Sequence, residues 1–160
     1  MARILVVDDD SVIRELVAAV LEEESDHRVV LAANGREALD RLAEAPVDAI
    51  VCDVNMPIMD GYELVRTVRS TPEFQELPVL MISAVAPVDG LDPSVDVDVM
   101  LEKPFEINAL LACIAFILSG MRAGQNAVRV TRRRAAEAVD EFVRASQPVR
   151  ARQSLGSPGT

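Results

Sequence analysis

Lys103 is the only lysine in this 160-residue chain, beside fifteen arginines. A guanidinium is wide, planar and permanently charged, whereas a lysine carries a compact ammonium. A position that keeps lysine where every other strong cation is arginine points to a need for that shape. Lys103 stands in the string Leu101-Glu102-Lys103-Pro104-Phe105. Upstream, three apolar runs end in polar residues. Ile4-Leu5-Val6-Val7 leads into Asp8-Asp9-Asp10, Ala49-Ile50-Val51-Cys52 into Asp53, and Val79-Leu80-Met81-Ile82 into Ser83. Carboxylates are hard oxygen donors suited to Mg²⁺, which keeps water and accepts phosphate oxygens. A carboxylate can also take a phosphoryl group as an acyl phosphate. An ammonium and a hydroxyl can then meet the equatorial phosphoryl oxygens. Each residue alone has a blander use: a strand-ending Asp as a turn former or cap, a Ser as a cap, a Lys as a solvated charge. Their recurrence at the ends of four apolar runs favours the joint reading.

That reading needs a scaffold that brings four strand ends together. Strand-like and helix-like segments alternate, which predicts an α/β fold with a doubly wound, five-stranded parallel sheet. The strands are expected at 3–7, 28–32, 48–52, 78–82 and 97–101. They are nearly continuous in apolar residues, as strands covered on both faces should be. In such sheets ligands bind beyond the carboxyl ends of the strands, where Asp8, Asp9, Asp53, Ser83 and Lys103 all fall. Helices are expected at 11–24, 35–44, 61–70 and 106–121, each with an apolar stripe. The stretch 86–98, Ala-Pro-Val-Asp-Gly-Leu-Asp-Pro-Ser-Val-Asp-Val-Asp, stands where a fourth of five helices belongs. Its prolines and glycine predict a degenerate loop or single turn. The fifth helical segment, 106–121, is apolar nearly all round, which calls for cover on more than one side. Beyond it, 122–130 reads as a linker, 131–146 as a short amphipathic helix with Ala135, Val139, Phe142 and Val143 on one face, and 147–160 as a disordered tail.

The formal net charge is −10, unevenly spread. Residues 1–120 carry 8 basic and 23 acidic groups, and residues 121–160 carry 8 arginines and 3 acids. So acidic a body makes nucleic acid an unlikely main partner. Cys52 and Cys113 lie in apolar stretches and read as buried thiols of a reducing compartment. His27, the only histidine, reads as a solvated turn residue, which disfavours histidine-based zinc or triad chemistry. The chain leads directly into a strand with no visible signal peptide, and its longest apolar run is too short to span a bilayer. A cytoplasmic location without membrane insertion is expected.

Residues 2–121 resemble the receiver domain of bacterial two-component response regulators, a flavodoxin-like fold. The likeness is carried by the acidic pair, by Asp53-Val54-Asn55-Met56-Pro57-Ile58-Met59-Asp60-Gly61, by Ser83, and by Lys103-Pro104-Phe105. The resemblance implies that Asp53 is the phosphoacceptor, loaded from a phosphohistidine of a sensor histidine kinase or phosphotransfer protein. It implies Mg²⁺ as cofactor, held by Asp8, Asp9, Asp53 and the backbone carbonyl of Asn55. Ser83 and Lys103 would touch the phosphoryl group and carry the switch, with Ala84, Met100 and Pro104 in support. The bond before Pro104 would be cis, an isomer accessible before proline. Asp10 is better placed to cap the first helix. Met100 stands where the family usually has its switching aromatic, so the readout should depart from the usual one. The family also implies a signalling module, not a conventional enzyme.

Two other readings remain open. A pseudo-receiver would bind partners without being phosphorylated. A haloacid-dehalogenase-type phosphatase would use Asp8 as nucleophile and Asp10 as acid/base, but it needs a later acidic pair that is hard to find after Lys103. For output, a stand-alone regulator acting on a downstream protein is expected, without a DNA-binding domain. The excess apolar surface of segment 106–121 should either be covered by the tail helix or form a homodimer.

Overall fold

In the computed structural model, residues 1–84, 97–120 and Arg144 are described. The expected linker 122–130, the helix 131–146 apart from Arg144, the tail 147–160, and most of the degenerate stretch 86–98 lie outside the described residues. Among the described residues, five strands and four helices follow in order: β1 (Arg3–Val7), α1 (Ser11–Ser25), β2 (Arg28–Ala32), α2 (Gly35–Glu44), β3 (Ala49–Asp53), α3 (Gly61–Ser70), β4 (Val79–Ser83), β5 (Val99–Glu102) and α4 (Ile107–Leu118). All strands pair in parallel, in the order β2-β1-β3-β4-β5. This is the expected doubly wound sheet, with α4 in the place of the fifth expected helix.

The apolar strands alternate between two cores, because successive side chains of a strand point to opposite faces. Leu5, Val7, Ile50, Cys52, Val79 and Met81 pack with Ala38 and Leu42 of α2 and Leu64, Val65 and Val68 of α3. Ile4, Val6, Ala49, Val51, Leu80, Ile82 and Val99 pack with Val17, Val20 and Leu21 of α1 and Leu110, Cys113, Ile114 and Ile117 of α4. Both cysteines are buried free thiols on opposite faces of the sheet.

Side-chain caps start three of the helices. Asp10 Oδ1 accepts from the backbone N–H groups of Val12 and Ile13. Asn34 accepts from Glu37 N–H. Asp60 and Glu63 form a reciprocal capping box at α3, which satisfies two backbone donors at once. α4 has no side-chain cap, and its anchoring comes from the core.

Several expectations shift: α1 runs one residue further, to Ser25, and α4 spans Ile107–Leu118 where 106–121 was expected. β3 and β4 begin one residue later than expected and extend to Asp53 and Ser83. β5 begins at Val99 instead of residue 97. Asp98 explains this: its Oδ2 accepts from Val79 N–H at 2.8 Å and from Arg69 at 3.0 Å, so it clamps β4 to α3 before the ladder begins. His27 is half-buried rather than simply solvated, and its Nδ1 accepts from Ala2 N–H at 3.2 Å. Burial, and then the nearby N-terminal ammonium, lower its pKa below the ordinary 6.5.

The β3–α3 connection is held close to its neighbours. Gly35 N–H donates to Met59 O, and Gly61 N–H donates to Val54 O. A Cβ on Gly61 would run into the carbonyl oxygen of Asp53 and lie 3.1 Å from Val54 Cα. Between these anchors Ile58 is 81% exposed with φ of 70°, a left-handed conformation that costs a β-branched residue free energy.

Gly61→Ala is expected to lower stability by on the order of 1–3 kcal/mol, because the intruding methyl meets backbone that has little room to move. Urea denaturation checks this. For His27 the folded-state pKa is depressed, so the unfolded chain binds its proton first as pH falls. Stability should therefore decline as pH drops through about 6.5 and level off below the folded-state pKa, and this component should vanish in His27→Gln. Thermal melts between neutral and mildly acid pH measure it.

Candidate functional site

The parallel register carries four strand ends to one edge of the sheet. Val7 pairs with Cys52 and Asp53 with Ile82, while Ser83 pairs with Glu102. Asp8, Asp53, Ser83 and Lys103 thereby arrive at one edge although they are far apart in sequence. Asp8, Asp53 and Ser83 are buried and Asp9 is exposed. One carboxylate oxygen from each of Asp8, Asp9 and Asp53 lies within 4.8 Å of the others.

Like charges so close repel, and the single lysine answers them. Lys103 Nζ lies 3.0 Å from Asp53 Oδ1 and 3.3 Å from Asp8 Oδ2. The Lys103–Pro104 peptide bond is cis, as expected, and Lys103 N–H donates to Ser83 O at 2.7 Å, which ties the end of β5 to the end of β4. Burial works against the ammonium charge, but the hydrogen bond and attraction from Asp53, and then Asp8, outweigh it and hold its pKa above the ordinary lysine value. The Asp8 pKa is raised too, which for a carboxylate disfavours the charged form. Burial, with help from repulsion by Asp53, raises its pKa despite hydrogen bonds from Asp10 N–H and Lys103. Three carboxylates against one ammonium leave the pocket with a negative surplus. An all-oxygen donor set with that surplus fits a hard divalent cation such as Mg²⁺, with Asp8, Asp9 and Asp53 as the residues able to hold it.

The other expected site residues take up distinct positions. Asn55 lies exposed two residues beyond Asp53, between buried Val54 and Met56. Ala84 is exposed immediately after Ser83. Met100 pairs with Met81 in the ladder and packs, half-buried, on the α2/α3 side of the sheet. Pro104 is exposed beside Phe105 at the rim of a groove between α1 and α4. Asp10, the acid/base of the phosphatase reading, is engaged as the cap of α1.

Two contributors were not foreseen. Arg14 Nη1 donates to the backbone carbonyl of Asp8 at 2.6 Å, fixing the turn that presents both acids. Its position one helical turn after Asp10 was the available signal. Gly61 leaves the space that the Asp53 carbonyl occupies, and a glycine opening a helix directly after a capping Asp was the cue there.

Residues 4–115 match the family model described as the response regulator receiver domain. The chain is 43% identical over 120 residues to the response regulator MprA of Mycolicibacterium vanbaalenii, covering 72% of this chain and 50% of that protein. It thus spans about half the length of the curated relatives it matches. Among solved structures it resembles the chemotaxis response regulator CheY4 of Vibrio cholerae, with a TM-score of 0.68 and 36% identity, covering 74% of this chain and 99% of the other. It also resembles the response regulator TrrA of Thermotoga maritima, solved in complex with Mg(2+)-BeF, with a TM-score of 0.66 and 30% identity, covering 74% of this chain and 100% of the other. With this match to fold and sequence together, the chain belongs to the response regulator receiver domain family.

Proposed function

We propose that this receiver accepts a phosphoryl group on Asp53 from a phosphohistidine of a sensor histidine kinase or phosphotransfer protein. The observation that carries this is the contact of the lone lysine with Asp53, beside two further carboxylates within 4.8 Å. In the transfer, an Asp53 oxygen forms a bond to phosphorus and the phosphorus–nitrogen bond of the donor breaks. The electron pair leaves with the imidazole, which then takes a proton. Asp8, Asp9, Asp53 and the Asn55 carbonyl would hold Mg²⁺, which would neutralise charge on the phosphoryl oxygens. Lys103 exchanges its contact with the Asp53 carboxylate for one with the phosphoryl group, and the Ser83 hydroxyl donates to another phosphoryl oxygen. Signalling proceeds through protein contacts in the cytoplasm, since the body of the chain is strongly acidic and nucleic acid repels such a surface. Among the described residues no helix is long and apolar enough to cross a membrane.

The half-buried Met100, in place of an aromatic, supports a second reading: a partner-binding module that does not use phosphorylation. Intact-protein mass spectrometry after incubation with a small phosphodonor separates the two. One Mg²⁺-dependent phosphoryl adduct is expected on the natural chain and none on Asp53→Asn. Absence of the adduct in the natural chain, with Mg²⁺ binding intact, would favour the second reading.

Lys103→Met tests the charge balance without a phosphodonor. Removing the ammonium leaves the carboxylates unopposed, so the metal-free protein should lose on the order of 1–3 kcal/mol. The same change deepens the negative potential, so added Mg²⁺ should raise the melting temperature more than it does in the natural chain. Melts with and without Mg²⁺ check both signs, and an equal Mg²⁺ effect would show that Lys103 does not compete with the cation.

A further inference from the structure

α1 and α4 lie side by side and leave an apolar groove of about 390 Å³ between them, lined by Ile13, Leu16, Val17, Val20, Phe105 and Ile107 among others. Leu16 and Ile107 are each about half exposed there. α4, Ile-Asn-Ala-Leu-Leu-Ala-Cys-Ile-Ala-Phe-Ile-Leu, contains no charged residue at all. A helix of that composition is normally covered on its outer side as well. Leu111, Ala112, Phe116 and Leu118 are only partly buried among the described residues.

The chain itself carries a segment suited to this groove. The sequence 131–146 places Ala135, Val139, Phe142 and Val143 at helical spacing and opens with Arg132-Arg133-Arg134. α1 ends in Glu22-Glu23-Glu24, all exposed. In this parallel sheet both α1 and α4 run from the carboxyl edge back to the amino edge, so the end of α4 lies near that acidic end. Ten residues, 121–130, separate Gly120 from Thr131, a reach of up to roughly 33 Å. A helix starting beside Glu22–Glu24 and returning antiparallel to α4 would carry Phe142 about 14 Å beyond Arg133. Leu16 lies about 11 Å along α1 from Glu23 on the same measure. Charge and apolar register therefore agree for a single orientation. Tethering also gives this segment an effective concentration near millimolar, well above that of a second copy in dilute solution.

We propose that residues 131–146 dock as a helix in the α1/α4 groove of their own chain, arginines against Glu22–Glu24 and Phe142 with Val143 against Leu16 and Ile107. Phe105 in the groove wall is two residues from Lys103, which touches Asp53. The docking does not rest on the phosphoacceptor reading.

Thiol labelling of Leu16→Cys in the full chain tests the docking directly, with Cys52 and Cys113 buried and slow to react. Burial thwarts their ionisation, raising the Cys113 pKa to about 11. Labelling is expected to be at least about tenfold slower than in the same variant also carrying Phe142→Asp and Val143→Asp, because burying two large apolar side chains favours docking by more than that factor. The protection should not change with protein concentration. Equal rates in the two variants would overturn the proposal. Protection that grows with concentration, with a dimer in light scattering, would overturn it in favour of a second copy as occupant. Both readouts are independent of phosphorylation, so failure of the docking and failure of the phosphoacceptor reading are distinguishable.

Discussion

The structure around the site turns on one electrostatic problem: three carboxylates gathered at the edge of a parallel sheet, with one ammonium to answer them. Two of the three acids, Asp8 and Asp53, are buried, where charge is costly unless it is paired. Lys103 reaches both at once. A guanidinium would spread the same charge over a plane and could not sit as a point between two oxygens. This gives a physical reason for the one lysine in a chain that otherwise uses arginine. The remaining surplus of negative charge makes the pocket receptive to a cation, and burial, with repulsion from Asp53 behind it, raises the pKa of Asp8.

Local devices around the pocket keep its members in place. Asp10 is adjacent to two candidate ligands, yet its side chain turns to the first N–H groups of α1. Its own N–H donates to Asp8 Oδ1. One residue thus starts the helix and orients an acid. Arg14, a turn further on, holds the Asp8 carbonyl. On the other side Gly61 opens α3 with no side chain, so the Asp53 backbone can pass close beneath it. These residues take no part in the chemistry proposed, but the geometry of the acids depends on them.

Much of this was legible in the sequence because the relevant signals are local. Apolar runs closed by polar residues located β1, β3 and β4, and the cap at Asp10 was anticipated, whereas the caps from Asn34 and Asp60 emerge only in the structure. The Lys103–Pro104 cis bond was foreseen from the resemblance of that string to a family signature. What escaped were contacts between residues distant in sequence. The start of β5 was misjudged because Val97 is as apolar as Val99, and only the partners of Asp98, in β4 and α3, show where the ladder begins. His27 was read as solvated because nothing near it in sequence reveals that Ala2 donates to it. The arrangement of Asp8, Asp9 and Asp53 was anticipated as a cluster, but the two-pronged reach of Lys103 is a property of three-dimensional register alone.

The order of the strands sets a mechanical asymmetry across the pocket. β1, β3 and β4 each have a neighbour on both sides, whereas β5 is the margin of the sheet and is paired only to β4. Asp8, Asp53 and Ser83 therefore stand at the ends of strands paired on both sides, and the ammonium follows an edge strand. Its backbone is joined to β4 by the peptide hydrogen bond from Lys103 to Ser83 and by a four-residue ladder. Of the charged groups in the pocket, the ammonium is thus the one carried by a strand with a neighbour on one side only.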